Sequence, residues 1–337
     1  MLRAIIGFDH IVKNVNDTWI PTCGYWLTKT ATATTRSLLI NSDGALSCSA
    51  GNSTVIQGIL DFTKYLTPPI ANFTIGFRVK QTALGNSGAF VYLASDPAIS
   101  ATMTLLNFSS LPNVGTLNSE VYVEMSFDLT AGTVSYWLDE VFLTTVSLTG
   151  VSLPNLRNGL VLFAFNLGAA STAGICSVKD IYLTDNIAGD GYTGRIGPRV
   201  CKPITVDVAT GTDWTVSDGG TILNALNAAI ETGTATVTSG PSKAPLVASL
   251  KADGIPVGAN VEGIMLSLVG KTDNAPALTG VKLTNGSKTI NGVSKAIGTT
   301  QKYGNPMGAY ARAPDGSRWT AASIDSTTVS FTPDVAS

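Results

Sequence analysis

Histidine is almost absent from this chain, which has one such residue, His10, among 337. A Ser-His-Asp or Cys-His catalytic site would have to use that single imidazole, and a metal site with several histidine ligands is excluded. His10 lies in the stretch GFDHIVKN beside a predicted first strand, where a local hydrogen bond at a strand edge explains a single polar residue. The sequence therefore predicts no histidine-based chemistry.

Cysteine is also scarce, and the four cysteines are far apart in the sequence: Cys23, Cys48, Cys176 and Cys201. No pair has the spacing of a zinc knuckle or a redox motif. We expect buried or half-buried thiols in a reducing cytosol, with one pairing across a sheet as the alternative.

Charged residues are scarce as well, because they make up 13% of the chain against about 25% in ordinary soluble domains. The net charge is −2, and no Lys/Arg-rich run forms the basic stripe that nucleic-acid binding requires. A lightly charged surface is poorly protected against association. This composition favours a protein whose faces are covered by neighbours in a large assembly.

Long apolar runs are missing as well. One of the longest, residues 160–165, is interrupted at Asn166 and is far shorter than the roughly 20 residues needed to cross a bilayer. The first residues, MLRAIIGFD, reach an acidic residue too early for a signal peptide. We therefore expect no membrane insertion and no Sec export.

What the sequence does contain is the period-two pattern of strands with one buried face. Residues 73–80 and 121–129 alternate apolar and polar side chains, which places Glu124 on the predicted solvent face. Two short turns lead into strands over 133–138 and 141–148, so these segments predict an antiparallel meander. Further strands are predicted over residues 160–165 and 176–183.

The pattern changes in the second half, where a short helix is predicted over residues 222–231. Strands are predicted after it, over residues 234–238, 261–269, 280–283 and 327–331. The sequence thus predicts an all-β protein. An antiparallel β-sandwich is expected over residues 1–190, and a smaller β-sandwich-like domain with one or two short helices over residues 191–337.

The glycine-rich stretch NIAGDGYTGRIGPR, between these halves, is either a phosphate-binding loop or a joint. A dinucleotide loop should open a helix, but Pro198 stands where that helix should begin. This stretch does not contain the Gly-Lys-Ser/Thr of a P-loop. The stretch is therefore interpreted as a joint, and the segment PRVCKPI as the first strand of the second domain. The joint residues are Gly189, Gly191, Tyr192, Gly194, Arg195, Gly197 and Pro198.

Two pairs of residues are candidates for the cleavage or the binding of carbohydrate. Glu120 and Glu124 share one strand face, as a glycosidase pair does, but the Glu-x-Asp-x-Glu core of laminarinase-type enzymes is absent. We therefore predict no catalytic residues and no enzyme activity. Tyr136 and Trp137 are adjacent in a predicted strand, so one of them must point outward, and they are candidate glycan contacts.

Three separated segments resemble one family, the structural proteins of tailed-bacteriophage virions with an N-terminal concanavalin-like (LamG-type) β-sandwich, a jelly roll, and a second β-rich domain. The segments are IIGFDHIVKNVNDTWI, VKDIYLTDNIAGDGYTGRIGPRVCKPITVDVATGTDWT and APDGSRWTAASIDSTTVSF. They follow one another in the order and spacing of that family and span nearly the whole chain.

This resemblance implies a non-enzymatic virion component of the tail, baseplate or fibre, assembled in the host cytoplasm. Its expected partners are other virion proteins and copies of itself. Two alternatives stay open, a module that binds a host-surface glycan and a capsid decoration protein. No cofactor is expected, although related folds often hold a structural calcium ion in oxygen-rich loops, so that ion also stays an alternative.

Overall fold

The computed structural model divides the chain into two compact units, the first ending at Cys201 and the second beginning at Lys202. The sequence predicts the division earlier, between residues 190 and 191. The structure describes residues 1–7, 26–30, 38–48, 56–63, 65–81, 89–96, 102–107, 119–168, 176–185, 187, 192, 194–227, 235–272, 277–292, 294–298 and 302–333.

The described part of the first unit contains thirteen strands and one short helix. They are β1 (Leu2–Ile6), β2 (Trp26–Thr30), β3 (Leu38–Ile40), β4 (Leu46–Cys48), β5 (Ile56–Asp61), β6 (Asn72–Gln81), β7 (Ala89–Ala94), β8 (Thr102–Asn107), β9 (Glu120–Asp128), β10 (Thr133–Leu138), β11 (Val141–Ser147), α1 (Leu153–Arg157), β12 (Leu162–Gly168) and β13 (Cys176–Asp185).

These strands form two antiparallel sheets. The larger sheet has the order β11-β10-β9-β6-β13-β4-β3, and β1 also pairs with β13. The smaller sheet has the order β2-β5-β12-β7-β8. The consecutive strands β9, β10 and β11 are neighbours in the larger sheet, as the predicted meander requires.

Aromatic side chains fill the space between the two sheets. Phe73 stacks on Phe127 at 4.4 Å between ring centroids, and both rings meet Phe163 of β12 edge to face. Phe77 meets Phe165 in the same way at 5.3 Å. Because side chains alternate along a strand, the residues between these phenylalanines lie on the opposite face of the larger sheet, which we call its outer face.

The described part of the second unit contains ten strands and two short helices. They are β14 (Thr205–Gly211), β15 (Thr215–Val216), α2 (Ile222–Asn227), β16 (Val237–Thr238), β17 (Leu246–Lys251), β18 (Ile264–Gly270), β19 (Ala277–Asn285), β20 (Lys288–Asn291), β21 (Lys295–Ile297), β22 (Lys302–Tyr310), α3 (Ala321–Asp325) and β23 (Thr327–Thr332). The main sheet has the order β14-β17-β23-β19-β20, with β21 also on β19, and β18 pairs with β22.

The Trp-Thr segment near the end of the chain builds much of this unit's core. Trp319 is 1% exposed, and its indole N–H donates to the Tyr310 carbonyl at 2.8 Å. Thr320 and Ser323 cap α3 reciprocally, which positions Ile324 in the same core. A capping box of this kind satisfies the first N–H groups of a short helix.

The predicted all-β fold class is confirmed, because the described part of the first unit is an antiparallel sandwich of two sheets and that of the second is a smaller β-rich unit with short helices. The strand predicted for PRVCKPI is wrong, since residues 198–204 contain no strand and β14 begins at Thr205. The predicted helix is confirmed over residues 222–227, and its last residues, 228–231, lie outside the described ranges. Among the residues that the structure describes, no helix is long and apolar enough to cross a membrane.

Candidate functional site

One row of side chains crosses the outer face of the larger sheet. In the register of the strands, Trp137 of β10 lies opposite Glu124 of β9. Glu124 lies opposite Gly76 of β6, which in turn lies opposite Tyr182 of β13. Residues directly opposite each other in antiparallel strands share a face, so these four residues form one row, which we call the outer row.

Gly76 gives the outer row room for two tyrosine rings. A Cβ atom at this position would lie 2.1 Å from Tyr182 Cε1 and 2.5 Å from the Tyr122 hydroxyl. Glycine in the middle of a strand often marks such a close approach. The absence of a side chain at Gly76 therefore allows Tyr122 and Tyr182 to reach the centre of the sheet.

A length of the chain itself lies over the outer row. We call residues 194–201 the covering segment, and side chains of three strands hold it by hydrogen bonds. These bonds are Thr184 Oγ1 to the Gly194 carbonyl (2.6 Å), the Ile196 N–H to the Tyr182 hydroxyl (3.2 Å), the Gly197 N–H to Glu124 Oε1 (2.9 Å), the Tyr122 hydroxyl to the Gly197 carbonyl (2.6 Å), Arg78 Nε to the Arg199 carbonyl (3.4 Å) and the Cys201 N–H to Asp180 Oδ1 (2.8 Å).

Glu124 is the buried charge at the centre of this arrangement, with a side chain that is 0% exposed. Its Oε2 accepts from Arg195 Nε at 2.7 Å, and its Oε1 accepts from both the Gly197 N–H and the Tyr182 hydroxyl. A buried charge persists only when it is paired and hydrogen-bonded. The covering segment supplies both the cation and a backbone donor, so the predicted solvent exposure of Glu124 is wrong.

Two buried tyrosines next to Glu124 are held in their neutral form. Burial raises the pKa of Tyr122 and Tyr182 well above the ordinary value, and the nearby Glu124 carboxylate adds to the effect in both. A neutral tyrosine can donate a hydrogen bond to a carboxylate or carbonyl. The two hydroxyls therefore act as donors to Glu124 and to the covering segment.

The predicted aromatic pair is divided between the two faces of β10. Tyr136 is 5% exposed and lies in the core, so it cannot contact a glycan at the surface. Trp137 lies on the outer row, where the Arg195 guanidinium stands over its ring at 4.3 Å. Phe142 of β11 meets the same indole edge to face at 5.5 Å. Only Trp137 therefore stays a candidate contact.

A ladder of ion pairs lies beside the outer row, around Arg78. Its guanidinium contacts Glu120 Oε1 and Asp180 Oδ2 at 3.1 Å each, and Lys179 Nζ lies 2.7 Å from Glu120 Oε2. Burial raises the pKa of Asp180. Partial burial acts in the same direction on Glu120, but its ion pairs with Lys179 and Arg78 hold the pKa below the ordinary value.

The two glutamates that the sequence places on one strand face are thus both engaged, Glu124 by the covering segment and Glu120 by Lys179 and Arg78. Within the described ranges, no three His, Cys, Asp or Glu side chains are grouped so that they could hold a metal ion.

The joint residues predicted from the sequence lie in the first unit wherever the structure describes them. Tyr192 is 7% exposed, and Gly194, Arg195, Gly197 and Pro198 belong to the covering segment. Gly197 has φ +75°, in the left-handed region that favours glycine. Gly189 and Gly191 lie outside the described residues. The stretch therefore completes the first sandwich, and the change of unit comes after it.

The edge strand β11 is the other conspicuous feature of this unit. All seven of its residues are exposed, including Val141 at 69% and Phe142 at 55%. It carries no charged residue, and in the described part of the chain it pairs with β10 alone. Natural edge strands are usually protected by lysine, proline or inward-pointing charge, and β11 has none of these.

Sequence reasoning missed the burial of Glu124, the role of Gly76 and the bare edge of the sheet. The signal for the role of Gly76 was that it interrupts an otherwise bulky strand, whereas the pattern of β9 holds no signal for the burial of Glu124. The signal for the edge was the apolar run Val141-Phe142-Leu143, which directly follows an acidic turn.

No family model matches the chain, and no curated protein matches it. Among solved structures, lectin II from Ulex europaeus shares 13% identity over 55% of this chain and 99% of its own, with a TM-score of 0.32. An endo-1,3-beta-glucanase from Streptomyces sioyaensis shares 11% identity over 54% and 95%, with a TM-score of 0.38. A Lotus tetragonolobus seed lectin shares 12% identity over 54% and 97%, with a TM-score of 0.33. Similarity at this level carries no argument about function.

Proposed function

We propose that this chain is a non-enzymatic structural component of a virion, of the tailed-bacteriophage type that its three sequence segments resemble. Its role is assembly by packing against other virion proteins and copies of itself, in the tail, baseplate or fibre. A place on the capsid surface as a decoration protein is the alternative location. The protein is assembled into particles in the host cytoplasm.

The single observation that carries the non-enzymatic part is the closure of the outer row. A catalytic carboxylate must reach its substrate within hydrogen-bond distance. Both oxygens of Glu124 already accept hydrogen bonds from the covering segment or from Tyr182. Glu120 is held between Arg78 and Lys179. The sheet face is thus used to hold its own chain.

The assembly role is supported by the surface that is left open. The first sandwich exposes an uncharged strand edge, and the whole chain is 13% charged. Interfaces between proteins are poor in charged residues at their centre. A surface of this kind is expected to be covered in the assembled particle.

The direct test is to purify particles from a lysate of the host in which this gene is expressed, and to analyse them by mass spectrometry and cryo-electron microscopy. We expect peptides of this chain at a constant ratio to the other particle proteins, with density for a two-unit β-protein. Recovery of the chain only in the soluble fraction would contradict the virion role.

The non-enzymatic part has its own test, which is to incubate the purified chain with polysaccharides and measure reducing sugar. We expect no release above that of a heat-denatured sample. Release that disappears in Glu120→Gln or Glu124→Gln would show that the chain is an enzyme.

A second candidate function, binding of a host-surface glycan, is favoured by the aromatic pair at the sheet edge. Trp137 and Phe142 stand side by side, and Phe142 is more than half exposed. Exposed aromatic faces of this kind can pack on sugar rings. A glycan array tests it, with signal expected to disappear in Phe142→Ala and to persist in the equally exposed control Val208→Ala of the second unit. An array without signal would remove this candidate.

A further inference from the structure

The edge strand β11 is exposed on three sides. Its side chains alternate between the two faces of the sheet, and residues on both faces are exposed, among them Val146 opposite Val134 and Phe142 opposite Trp137. Its free edge also carries backbone N–H and C=O groups without a ladder partner among the described strands. Such an edge is a template for one further strand.

We propose that the occupant of this edge is β11 of a second copy of this chain, paired antiparallel about a two-fold axis. This pairing rests on the proposed assembly role and specifies it further, because it identifies a second copy of the chain as the partner that binds the edge of β11. The larger sheets of two copies would then form one continuous sheet across the contact.

Charge selects this arrangement. The acidic turn Asp139-Glu140 stands at one end of β11, whereas Ser147, Leu148 and Thr149 at the other end are uncharged. Antiparallel pairing places each acidic turn beside the neutral end of the partner strand. Parallel pairing would bring the two acidic turns together, and like charges placed opposite each other are destabilising.

The strand is also compatible with itself. A two-fold interface uses the same surface on both copies, so that surface must be self-complementary. From Val141 to Ser147 it contains only apolar residues, Thr and Ser, so no copy presents a charge to the other. The ladder with β10 is irregular between Phe142 and Thr144 and regular from Thr144 onward. The axis is therefore expected near Thr145.

The size of the contact predicts a weak dimer. The seven residues of β11 are about 24 Å long, and one strand from each copy gives a contact at the low end of interface sizes, below about 1,200 Å². We therefore expect dissociation in the micromolar range, where purified protein can be diluted through the transition. In a particle, the local concentration of copies would be far higher.

The experiment is sedimentation of the purified full-length chain over the micromolar range, with Thr145 replaced by either charge. Wild type is expected to change from monomer to dimer with concentration. Thr145→Lys alone and Thr145→Glu alone are expected to weaken the dimer about tenfold or more, because like charges then meet at the axis. An equimolar mixture of the two variants is expected to recover the dimer, because opposite charges then meet.

The matched control is Val257→Lys, which adds the same charge at a fully exposed position of the second unit and is expected to dimerise like wild type. Equal melting curves would show that the variants are folded. A wild-type chain that stays monomeric throughout, a dimer that survives Thr145→Lys, or a mixture that does not recover would each overturn the inference. The result is independent of the particle experiment, since a chain found in virions could still sediment as a monomer.

Discussion

The middle of the larger sheet and its edge strand β11 differ in charge and in exposure to solvent. In the middle, Glu124 is a buried charge, and the chain covers it with a segment that supplies an arginine and a backbone N–H. At the edge, β11 has no charge, and all of its residues stay exposed. The middle of the sheet is thus covered by the protein's own covering segment, whereas the edge strand is exposed to solvent.

The difference shows where each part obtains its stability. A buried carboxylate is costly unless its partners are present, so the fold depends on the covering segment. An exposed strand of uncharged residues contributes little to folding by itself. Changes in the middle should therefore affect the free energy of unfolding, whereas changes at the edge should affect association.

The largest expected effect comes from Arg195→Ala, which leaves Glu124 buried without its cation. We expect the free energy of unfolding to fall by about 3–5 kcal/mol, measured by urea titration followed by fluorescence. Arg318→Ala, at an exposed arginine of the second unit, is the control and should change it by less than about 0.5 kcal/mol. Adding Glu124→Gln to Arg195→Ala should recover part of the loss. If Arg195→Ala and Arg318→Ala lowered the free energy of unfolding equally, the ion pair between Arg195 and Glu124 would not stabilise the fold as proposed.

Alkaline pH should destabilise the covered middle next most strongly. Burial raises the pKa of Tyr122 and Tyr182, whereas a tyrosine in the unfolded chain ionises near pH 10. Above about pH 10 the unfolded state therefore binds fewer protons than the folded state, and stability falls as pH rises. Each tyrosine contributes about 1.4 kcal/mol per pH unit.

The measurement for this effect is the free energy of unfolding at a series of pH values between about 9 and 11, bracketing the pKa of an unperturbed tyrosine. Tyr122→Phe should reduce the slope by the contribution of one tyrosine, whereas Phe142→Ser at the edge should keep the wild-type slope. An unchanged slope in Tyr122→Phe would show that this hydroxyl ionises in the folded protein.

A smaller loss is expected from Gly76→Ala, because the new methyl group would lie 2.1 Å from the Tyr182 ring. Overpacking of this kind costs about 1–3 kcal/mol, here by moving Tyr182 away from Glu124. Gly298→Ala is the control, because a Cβ there meets nothing within 4 Å. Calorimetric melting temperatures of the two variants measure the difference, and equal values would mean that Tyr182 can move without loss.

The smallest effect on folding is expected from Phe142→Ser at the edge. Phe142 is 55% exposed and loses mainly its contact with Trp137, so the free energy of unfolding should fall by about 0.5–1.5 kcal/mol. Its self-association, measured by sedimentation, should nevertheless weaken. A large loss of stability would mean that β11 is part of the folding core.

The sequence predicts the strands of the first sandwich well wherever one face is apolar. The alternation over residues 121–129 corresponds to β9, and residues 133–138 coincide with β10. The turn between β10 and β11 was also predictable, and both Asp139 and Glu140 have positive φ. Local periodicity is enough for these elements because it depends only on which face is buried.

The burial of Glu124 could not be predicted in the same way. Alternation assigns polar residues to solvent, but the cover over this face comes from residues 71 positions later in the chain. The pattern of a single strand contains no information about such a distant partner. β17 is a different case, because its alternation of buried Leu246, Ala248 and Leu250 is local and is visible in the sequence.

The covering segment also has a consequence for the order of events during synthesis. Glu124 leaves the ribosome 71 residues before Arg195, which at about 5–20 residues per second is a delay of roughly 4 to 14 seconds. During that time the sheet can form, but its central carboxylate has no cation to pair with. Completion of the first unit must therefore wait until translation has reached the very residues that lead into the second.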